Sequence, residues 1–198
     1  MDQLVDLVAE LEDEDQTVSQ IEEIMTTITI SGLPGTGKTT VAQLLEHHLG
    51  LRYVYSGEIF RKLAEKHHMS LEEFGRYCEE NPEIDQELDE YQLSVLRQGN
   101  VIVEGRISGW LAFRNDIPAV KILLKADIAI RANRIVKREQ GDVQKRKQEI
   151  LKREKSEATR YKKYYGIDVS DNSIYDLIID SADKTPEEIL HLILNHIQ

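Results

Sequence analysis

At 198 residues the chain has the size of one domain, and its formal net charge of −11, from 25 Lys plus Arg against 36 Asp plus Glu, argues against a surface devoted to nucleic acid. Its single cysteine, Cys78, excludes an internal disulfide and a cysteine-rich metal site. No apolar run approaches the roughly 18 residues of a membrane span, and the N-terminus is acidic where a signal peptide would be basic, so we expect a cytoplasmic protein without a membrane partner.

The segment over 1–25 differs in charge from the rest of the chain. It holds nine acidic residues and no lysine or arginine, whereas the remainder is close to neutral. Leu4, Leu7, Val8 and Leu11 fall at helical spacing and form an apolar stripe on it. We therefore predict an acidic extension, helical or disordered, that is a candidate contact for a partner or a second subunit.

From residue 26 onward, strand-like and helix-like segments alternate. A short β-branched run over 26–31 precedes a helical pattern over 40–49, which Gly50 is well suited to end. A strand over 51–55 and a helix over 57–66 follow. Because the apolar strands lack clean alternation, as strands covered on both faces do, we predict an α/β fold with a five-stranded parallel sheet. The other predicted elements are a helix capped by Ser70 and Glu73, a helix over 82–97, and strands over 101–104, 120–125 and 175–180.

A phosphate-binding motif lies between the first strand and the first helix. The sequence GLPGTGKT, from Gly32 to Thr39, matches G-x-x-x-x-G-K-[ST] in the strand-to-helix context that the motif requires. Glycines let the backbone N–H groups approach phosphate oxygens, Lys38 can reach the β- and γ-phosphates, and the Thr39 hydroxyl can ligate Mg²⁺. The motif predicts a nucleoside triphosphate site.

Further polar residues follow the second and third strands, at the edge where parallel strands present their carboxyl ends to a ligand. Glu104 ends a strand and could orient Mg²⁺-bound waters, although a solvated strand end is an equal alternative. Ser56 begins a helix with Arg61 about one turn along, and Arg106 follows Glu104. Single arginines are usually surface residues, but together these three predict a second anion site, suited to the phosphate of an acceptor.

The region from Arg131 to Tyr165 is rich in basic residues. Arg153 and Arg160 are seven apart and share a helix face, with Glu157 between them. One interpretation is a solvated helix or an RNA-binding patch. The other is a lid whose exposed, mobile arginines close over a transferring phosphoryl group, so that replacing them would cost little stability. Arg131, Arg134 and Arg138 recur at helical spacing before it.

Five sequence blocks together resemble one enzyme family. They are SGLPGTGKTT, YSGEIFRKLAEKHHMSLEEF, NPEIDQELDEYQ, VIVEGRISGW and YYGIDVSDNSIYDLIID, in one order and spacing over 26–198. They resemble the archaeal-type cytidylate kinases, P-loop nucleoside monophosphate kinases related to adenylate kinase. The resemblance implies a P-loop NTPase domain over 26–198, with an NMP-binding subdomain near 56–97 and a lid near 138–166. It also implies transfer of the ATP γ-phosphate to CMP or dCMP.

The same resemblance assigns roles by position. Lys38, Arg153 and Arg160 would be catalytic, Ser56, Arg61 and Arg106 would bind the monophosphate, and Mg²⁺ would be held by Thr39 directly and by Glu104 through water. ATP would be held by Gly32, Leu33, Pro34, Gly35, Thr36, Gly37, Lys38, Thr39 and Thr40.

The residues that read the acceptor base are not evident from sequence. Bacterial cytidylate kinases carry a base-reading insertion that has no visible counterpart here, and Asp85, Asp89 and Gln92 are candidates only by their place in the presumed acceptor subdomain. A kinase for AMP or UMP, and a non-kinase, nucleotide-dependent RNA-associated module, therefore stay open. Trp110 lies beside the acceptor base or, as we favour, in the core. Cys78 is predicted to be core, and the adjacent pairs His47–His48 and His67–His68 point apart and are not metal ligands.

Overall fold

The computed structural model describes residues 26–197, so the predicted acidic extension over 1–25 lies outside its described part. Five strands and eight helices alternate in this part of the chain. The strands are β1 (Ile28–Gly32), β2 (Arg52–Tyr55), β3 (Val101–Gly105), β4 (Val120–Lys125) and β5 (Leu177–Asp180). The helices are α1 (Lys38–Leu49), α2 (Ser56–Lys66), α3 (Leu71–Glu80), α4 (Pro82–Gln98), α5 (Ser108–Arg114), α6 (Ile128–Glu139), α7 (Val143–Tyr165) and α8 (Pro186–Ile197).

All five strands are parallel and lie in the order β2-β3-β1-β4-β5, which confirms the predicted sheet. β1 is central, and Ile28 and Ile30 on it are fully buried. One face of the sheet is covered by α1 and α8 and the other by α4 and α5, each through its apolar side chains. Because both faces are covered, the central strands are apolar without alternation.

Local signals set several element boundaries as predicted. Gly50 ends α1 with φ of 65°, Ser70 and Glu73 form a reciprocal capping box at the start of α3, and Pro82 begins α4. The last strand is shorter than predicted, since pairing with β4 begins only at Leu177.

Two helical segments extend beyond the sheet at the carboxyl ends of the strands. The first segment comprises α2–α4 and the second comprises α6 and α7. They meet where α7 packs along α3: Ser156 Oγ donates to Glu79 Oε1 at 2.5 Å, and the Tyr164 hydroxyl donates to the Glu79 carbonyl oxygen at 2.6 Å. Within 26–197, no helix combines the length and apolar character needed to cross a membrane.

Candidate active site

The loop between β1 and α1 is pressed against the second helical segment. Gly35 has φ of 82°, and a Cβ at this position would lie 2.7 Å from the Arg131 carbonyl oxygen, so only glycine fits. The buried guanidinium of Arg131 in turn donates to the Pro34 carbonyl at 3.2 Å and to the Ala126 carbonyl at 2.9 Å. Arg131, which the sequence offered only as one of three spaced arginines, therefore supports the loop from behind.

The loop is also held from the end of β5. Ser181 Oγ donates to the Thr36 carbonyl oxygen at 2.9 Å and accepts a hydrogen bond of 2.9 Å from Arg134. The loop backbone is thus fixed by two long-range contacts before any phosphate binds, which lowers the entropic cost of holding an anion there.

Lys38 begins α1 and is almost fully buried. Its Nζ donates to the Leu33 carbonyl at 3.1 Å, within the curve of the loop. Burial, and next the nearby Arg106 guanidinium, lower the pKa of Lys38 to about 7. The Glu104 and Glu157 carboxylates oppose this effect only in part, so a bound phosphate would further stabilise the ammonium group.

Thr39, Glu104 and Tyr53 form a partly buried cluster of oxygen atoms beside Lys38. Thr39 Oγ1 donates to Glu104 Oε1 at 3.1 Å, and the Tyr53 hydroxyl donates to the other carboxylate oxygen. Glu104 is 1% exposed, so the alternative of a solvated strand end is wrong. Oxygen ligands of this kind are those that Mg²⁺ prefers, so the residues present fit the cation. Sequence reasoning missed Tyr53, because its partner lies on the neighbouring strand and 51 residues away.

The three predicted acceptor residues occupy the same edge but differ in their contacts. Ser56 is buried and its Oγ donates to the Glu104 carbonyl at 2.9 Å, while Arg106 donates from Nε to Glu157 at 2.8 Å and from Nη1 to the Gly32 carbonyl at 3.3 Å. Arg61 is exposed and stacks on the Tyr55 ring, with 4.9 Å between guanidinium carbon and ring centre.

Glu157 lies between two arginines on the inner face of α7. It accepts hydrogen bonds from Arg106 at 2.8 Å and from Arg153 at 2.9 Å. Burial alone would raise its pKa, but the two guanidinium groups outweigh burial and lower the pKa to about 2. Glu157 is therefore ionised at neutral pH and holds both arginines at the cleft.

The expectation of exposed lid arginines is wrong for Arg160. Its side chain is 2% exposed, and its Nη1 lies 2.5 and 2.6 Å from the two carboxylate oxygens of Asp85 on α4. Arg153 is partly buried, at 21% side-chain exposure. The reason is that α7 packs onto the first helical segment, which periodicity within α7 cannot reveal. The two arginines do share one face of α7, as predicted.

Several hollows surround these residues, among them three that differ in size. The first, which we call the P-loop cleft, has a volume of about 580 Å³ and is lined by the β1–α1 loop and by Arg61, Arg138 and Arg146. The second, the small cavity, has about 40 Å³, enough for a few water molecules, and is lined by Asp85, Asp89 and Gln92 on α4. The third, the α6–α8 groove, has about 400 Å³. Four residues line both the P-loop cleft and the small cavity: Tyr55, Glu104, Arg106 and Arg153.

The remaining sequence predictions concern the core and the histidines. Trp110 is 7% exposed and Cys78 is fully buried, which confirms both as core residues. His47 and His67 are exposed, and among residues 26–197 no cluster of three or more His, Cys, Asp or Glu side chains could hold a metal ion. Two of the basic residues behind the RNA-binding alternative, Arg131 and Arg160, point inward and carry buried ion pairs, so they are not part of an exposed basic surface.

A parallel sheet of this order, with a phosphate-binding loop between its central strand and the following helix, defines a P-loop kinase fold. Shikimate kinase from Bacteroides thetaiotaomicron shares it with a TM-score of 0.56 and 14% identity, over 87% of this chain and 98% of that one. More specifically, the model of the cytidylate kinase-like family matches residues 27–183, and the chain belongs to that family.

Curated relatives cover most of both chains. Cytidylate kinase from Methanopyrus kandleri is 44% identical over 177 residues, which cover 86% of this chain and 92% of that protein. Cytidylate kinase from Methanocaldococcus jannaschii is 44% identical over 167 residues, which cover 84% of this chain and 94% of that protein. The resemblance seen in the sequence is thereby confirmed.

Proposed function

We propose that this protein is a cytidylate kinase, which transfers the γ-phosphate of ATP to CMP or dCMP and yields ADP and the cytidine diphosphate. The observation that carries the proposal is the junction of the two cavities. Arg106 and Arg153 line both the P-loop cleft and the small cavity, so a donor in one and an acceptor in the other would meet between two guanidinium groups. Transfer of a phosphoryl group requires that arrangement of positive charge.

On the donor side, the β1–α1 loop would cradle the triphosphate with its backbone N–H groups, and Lys38 would contact the β- and γ-phosphates. Thr39 would hold Mg²⁺ directly and Glu104 would hold it through water, since both present oxygen atoms next to Lys38. When bound, Mg²⁺ would neutralise the negative charge that develops on the phosphate oxygens. The α6–α8 groove, lined by Arg134, Arg138 and Lys184, adjoins the loop and would take the adenine base.

On the acceptor side, Ser56, Arg61 and Arg106 would bind the monophosphate, whose oxygen attacks the γ-phosphorus in line. Arg153 would neutralise the transferring group, with Glu157 fixing its position. Arg160 stays a predicted catalytic residue, and that role requires its ion pair with Asp85 to open. With the ion pair closed, Arg160 lines the small cavity and not the P-loop cleft. No covalent intermediate with the protein is required, because positioning and electrostatics suffice for this reaction.

We further infer that the two helical segments move. About 40 Å³ in the small cavity is too little for a nucleotide base, so the NMP-binding subdomain near 56–97 and the lid near 138–166 would open before CMP enters. The contacts of α7 with α3 and α4 would be broken in the open form and remade around the substrates.

The test is a coupled assay of ADP formation with ATP and each of CMP, dCMP, UMP, AMP and GMP. We expect CMP and dCMP to give the highest kcat/KM. A preference for UMP or AMP would assign the other acceptor class. Absence of phosphorylation with every monophosphate, together with tight RNA binding, would overturn the kinase proposal in favour of an RNA-associated module.

A further inference from the structure

Two buried acceptor atoms in the small cavity lack a well-formed hydrogen bond among residues 26–197. Asp89 and Gln92 lie one turn apart on α4 and are 7% and 2% exposed. Gln92 Nε2 donates to Asp89 Oδ1 at 2.8 Å. The other oxygen of each side chain, Asp89 Oδ2 and Gln92 Oε1, is buried and has no well-formed hydrogen bond among residues 26–197. The Tyr165 hydroxyl, also buried without a well-formed hydrogen bond there, faces Asp89 and lowers the pKa of its carboxyl in part, against the larger effect of burial.

The orientation of the Gln92 amide is fixed by chemistry. If the amide were flipped, its oxygen would face the Asp89 carboxylate and two acceptors would repel each other. With Nε2 on Asp89, the amide oxygen must be the free atom. Buried acceptors without donors cost stability, and two of them side by side in a cavity indicate that a ligand supplies the missing N–H groups.

Gly105 makes room for this arrangement. A Cβ on Gly105 would lie 2.8 Å from Ser56 Oγ and 2.9 Å from Gln92 Oε1, so any larger residue would displace the amide oxygen. The free oxygen of Gln92 therefore lies directly beside the strand end that precedes Arg106, one of the residues proposed to bind the acceptor phosphate.

We propose that Asp89 and Gln92 read the exocyclic amine of the acceptor base, so that the small cavity takes a 4-aminopyrimidine and rejects a 4-oxopyrimidine. This inference rests on the proposed function and names the residues that make the kinase specific for cytosine. Cytosine presents two N–H bonds at C4, which match the two free acceptors. Uracil presents a carbonyl oxygen there, which would leave both acceptors unpaired and add lone-pair repulsion.

The neighbouring atoms on the same edge of cytosine are matched as well, while Arg160 keeps its ion pair with Asp85. Its N3 and O2 accept hydrogen bonds, and Arg160 Nε in the same cavity is a buried donor with no partner in the described part of the chain. Asp85 occupies only Nη1 of that guanidinium. Uracil carries a hydrogen on N3, so a donor facing that edge also disfavours uracil.

The ionisation of Asp89 gives a second readout. Burial raises its pKa to about 7, and the groups that face it are Asp85 on α4 and Arg160, Tyr161 and Tyr165 on α7. The ionised carboxylate only accepts, whereas the protonated form can donate to the carbonyl of uracil. Discrimination between CMP and UMP should therefore fall as the pH is lowered from 8 to 6.

The experiment compares kcat/KM for CMP and for UMP in the wild-type protein, Asp89→Asn and Glu90→Gln. Because Gln92 Nε2 holds Oδ1, the Asp89→Asn change places an N–H₂ group where Oδ2 was, with no change of shape. We expect the CMP:UMP ratio to fall by about tenfold or more, and to lose its dependence on pH. Glu90 is exposed on the same helix, and its variant should keep the wild-type ratio.

A substrate analogue tests the same point without mutation. In pyrimidin-2-one ribonucleoside monophosphate a hydrogen replaces the 4-amino group, and the wild-type protein should use it about tenfold or more less efficiently than CMP. Equal use of the analogue, with an unchanged CMP:UMP ratio in Asp89→Asn, would overturn the inference. That outcome differs from failure of the proposed function, in which the wild-type protein would phosphorylate no pyrimidine monophosphate.

Discussion

Lys38 is a buried cation with a carbonyl oxygen as its hydrogen-bond acceptor, which is an unfavourable state unless a phosphate arrives. Because burial disfavours the charged form, the pKa of Lys38 is lowered to about 7. Folding therefore gains little from the ammonium group, while catalysis depends on it.

We accordingly predict that Lys38→Met keeps the melting temperature at or above the wild-type value but lowers kcat by about 10²- to 10³-fold, because a contact that strengthens with transition-state charge is lost. Thermal unfolding and steady-state kinetics on the same preparation check both parts. Turnover close to wild type in the folded variant would remove Lys38 from the proposed donor site.

Arg106 belongs to the junction of the two cavities, and its guanidinium faces both. We predict that Arg106→Gln raises KM for CMP by about tenfold or more, while the Kd for ATP stays within about twofold, because the lost contact is with the acceptor phosphate. Equilibrium titration with ATP and kinetics with CMP separate the two. An equal loss of affinity for ATP would assign Arg106 to the donor phosphates instead.

Residues of the phosphate-binding loop were predictable because the motif is contiguous and its chemistry depends on neighbouring backbone groups. Tyr53 and Arg131 were not, because each acts on a residue that only the sheet or the helix packing brings near. The burial of Arg160 could not be predicted for the same reason, since its partner Asp85 is 75 residues away in the sequence.

At the scale of elements, α7 brings charged side chains to both the P-loop cleft and the small cavity. Its inner face holds Arg153, Glu157 and Arg160, and its outer face carries Lys162 in solvent. Helix ends were predictable from Gly50, Ser70 and Pro82, since capping is local. The packing of α7 on the first helical segment was not predictable, because it depends on contacts between elements.

We predict that Arg153→Ala lowers kcat by about 10³-fold with little change in stability, since the arginine is partly exposed. Lys162→Ala, an exposed site on the same helix, is the matched control and should change the rate little. Similar mild losses in both variants would mean that α7 is a general basic surface.

Arg160→Ala should differ from Arg153→Ala in stability. Because it leaves Asp85 buried without its partner, we expect a loss of about 3–5 kcal/mol in the free energy of unfolding, and Asp85→Asn in the same chain should recover part of it. Denaturant titrations of the two variants check this. An Arg160→Ala protein as stable as wild type would show that the ion pair with Asp85 is not formed in solution.

At the scale of the whole molecule, the family match begins at residue 27, and the described structure begins at residue 26. We predict that deletion of residues 1–24 leaves a folded protein with wild-type kcat. Gel filtration and the coupled assay test the truncated chain. Aggregation would indicate that Leu4, Leu7, Val8 and Leu11 cover an apolar surface, for which Ile178 on β5 and Leu192 on α8 are exposed candidates.

Transfer of the γ-phosphate to CMP is tested most directly by following a label. Wild-type protein is mixed with ATP labelled at the γ-phosphate and with CMP, and the products are separated. We predict that the label appears in CDP in equal amount to the ADP formed, and that little label is released when CMP is left out. Label released as inorganic phosphate at the same rate with and without CMP would contradict phosphoryl transfer and identify a nucleotide hydrolase.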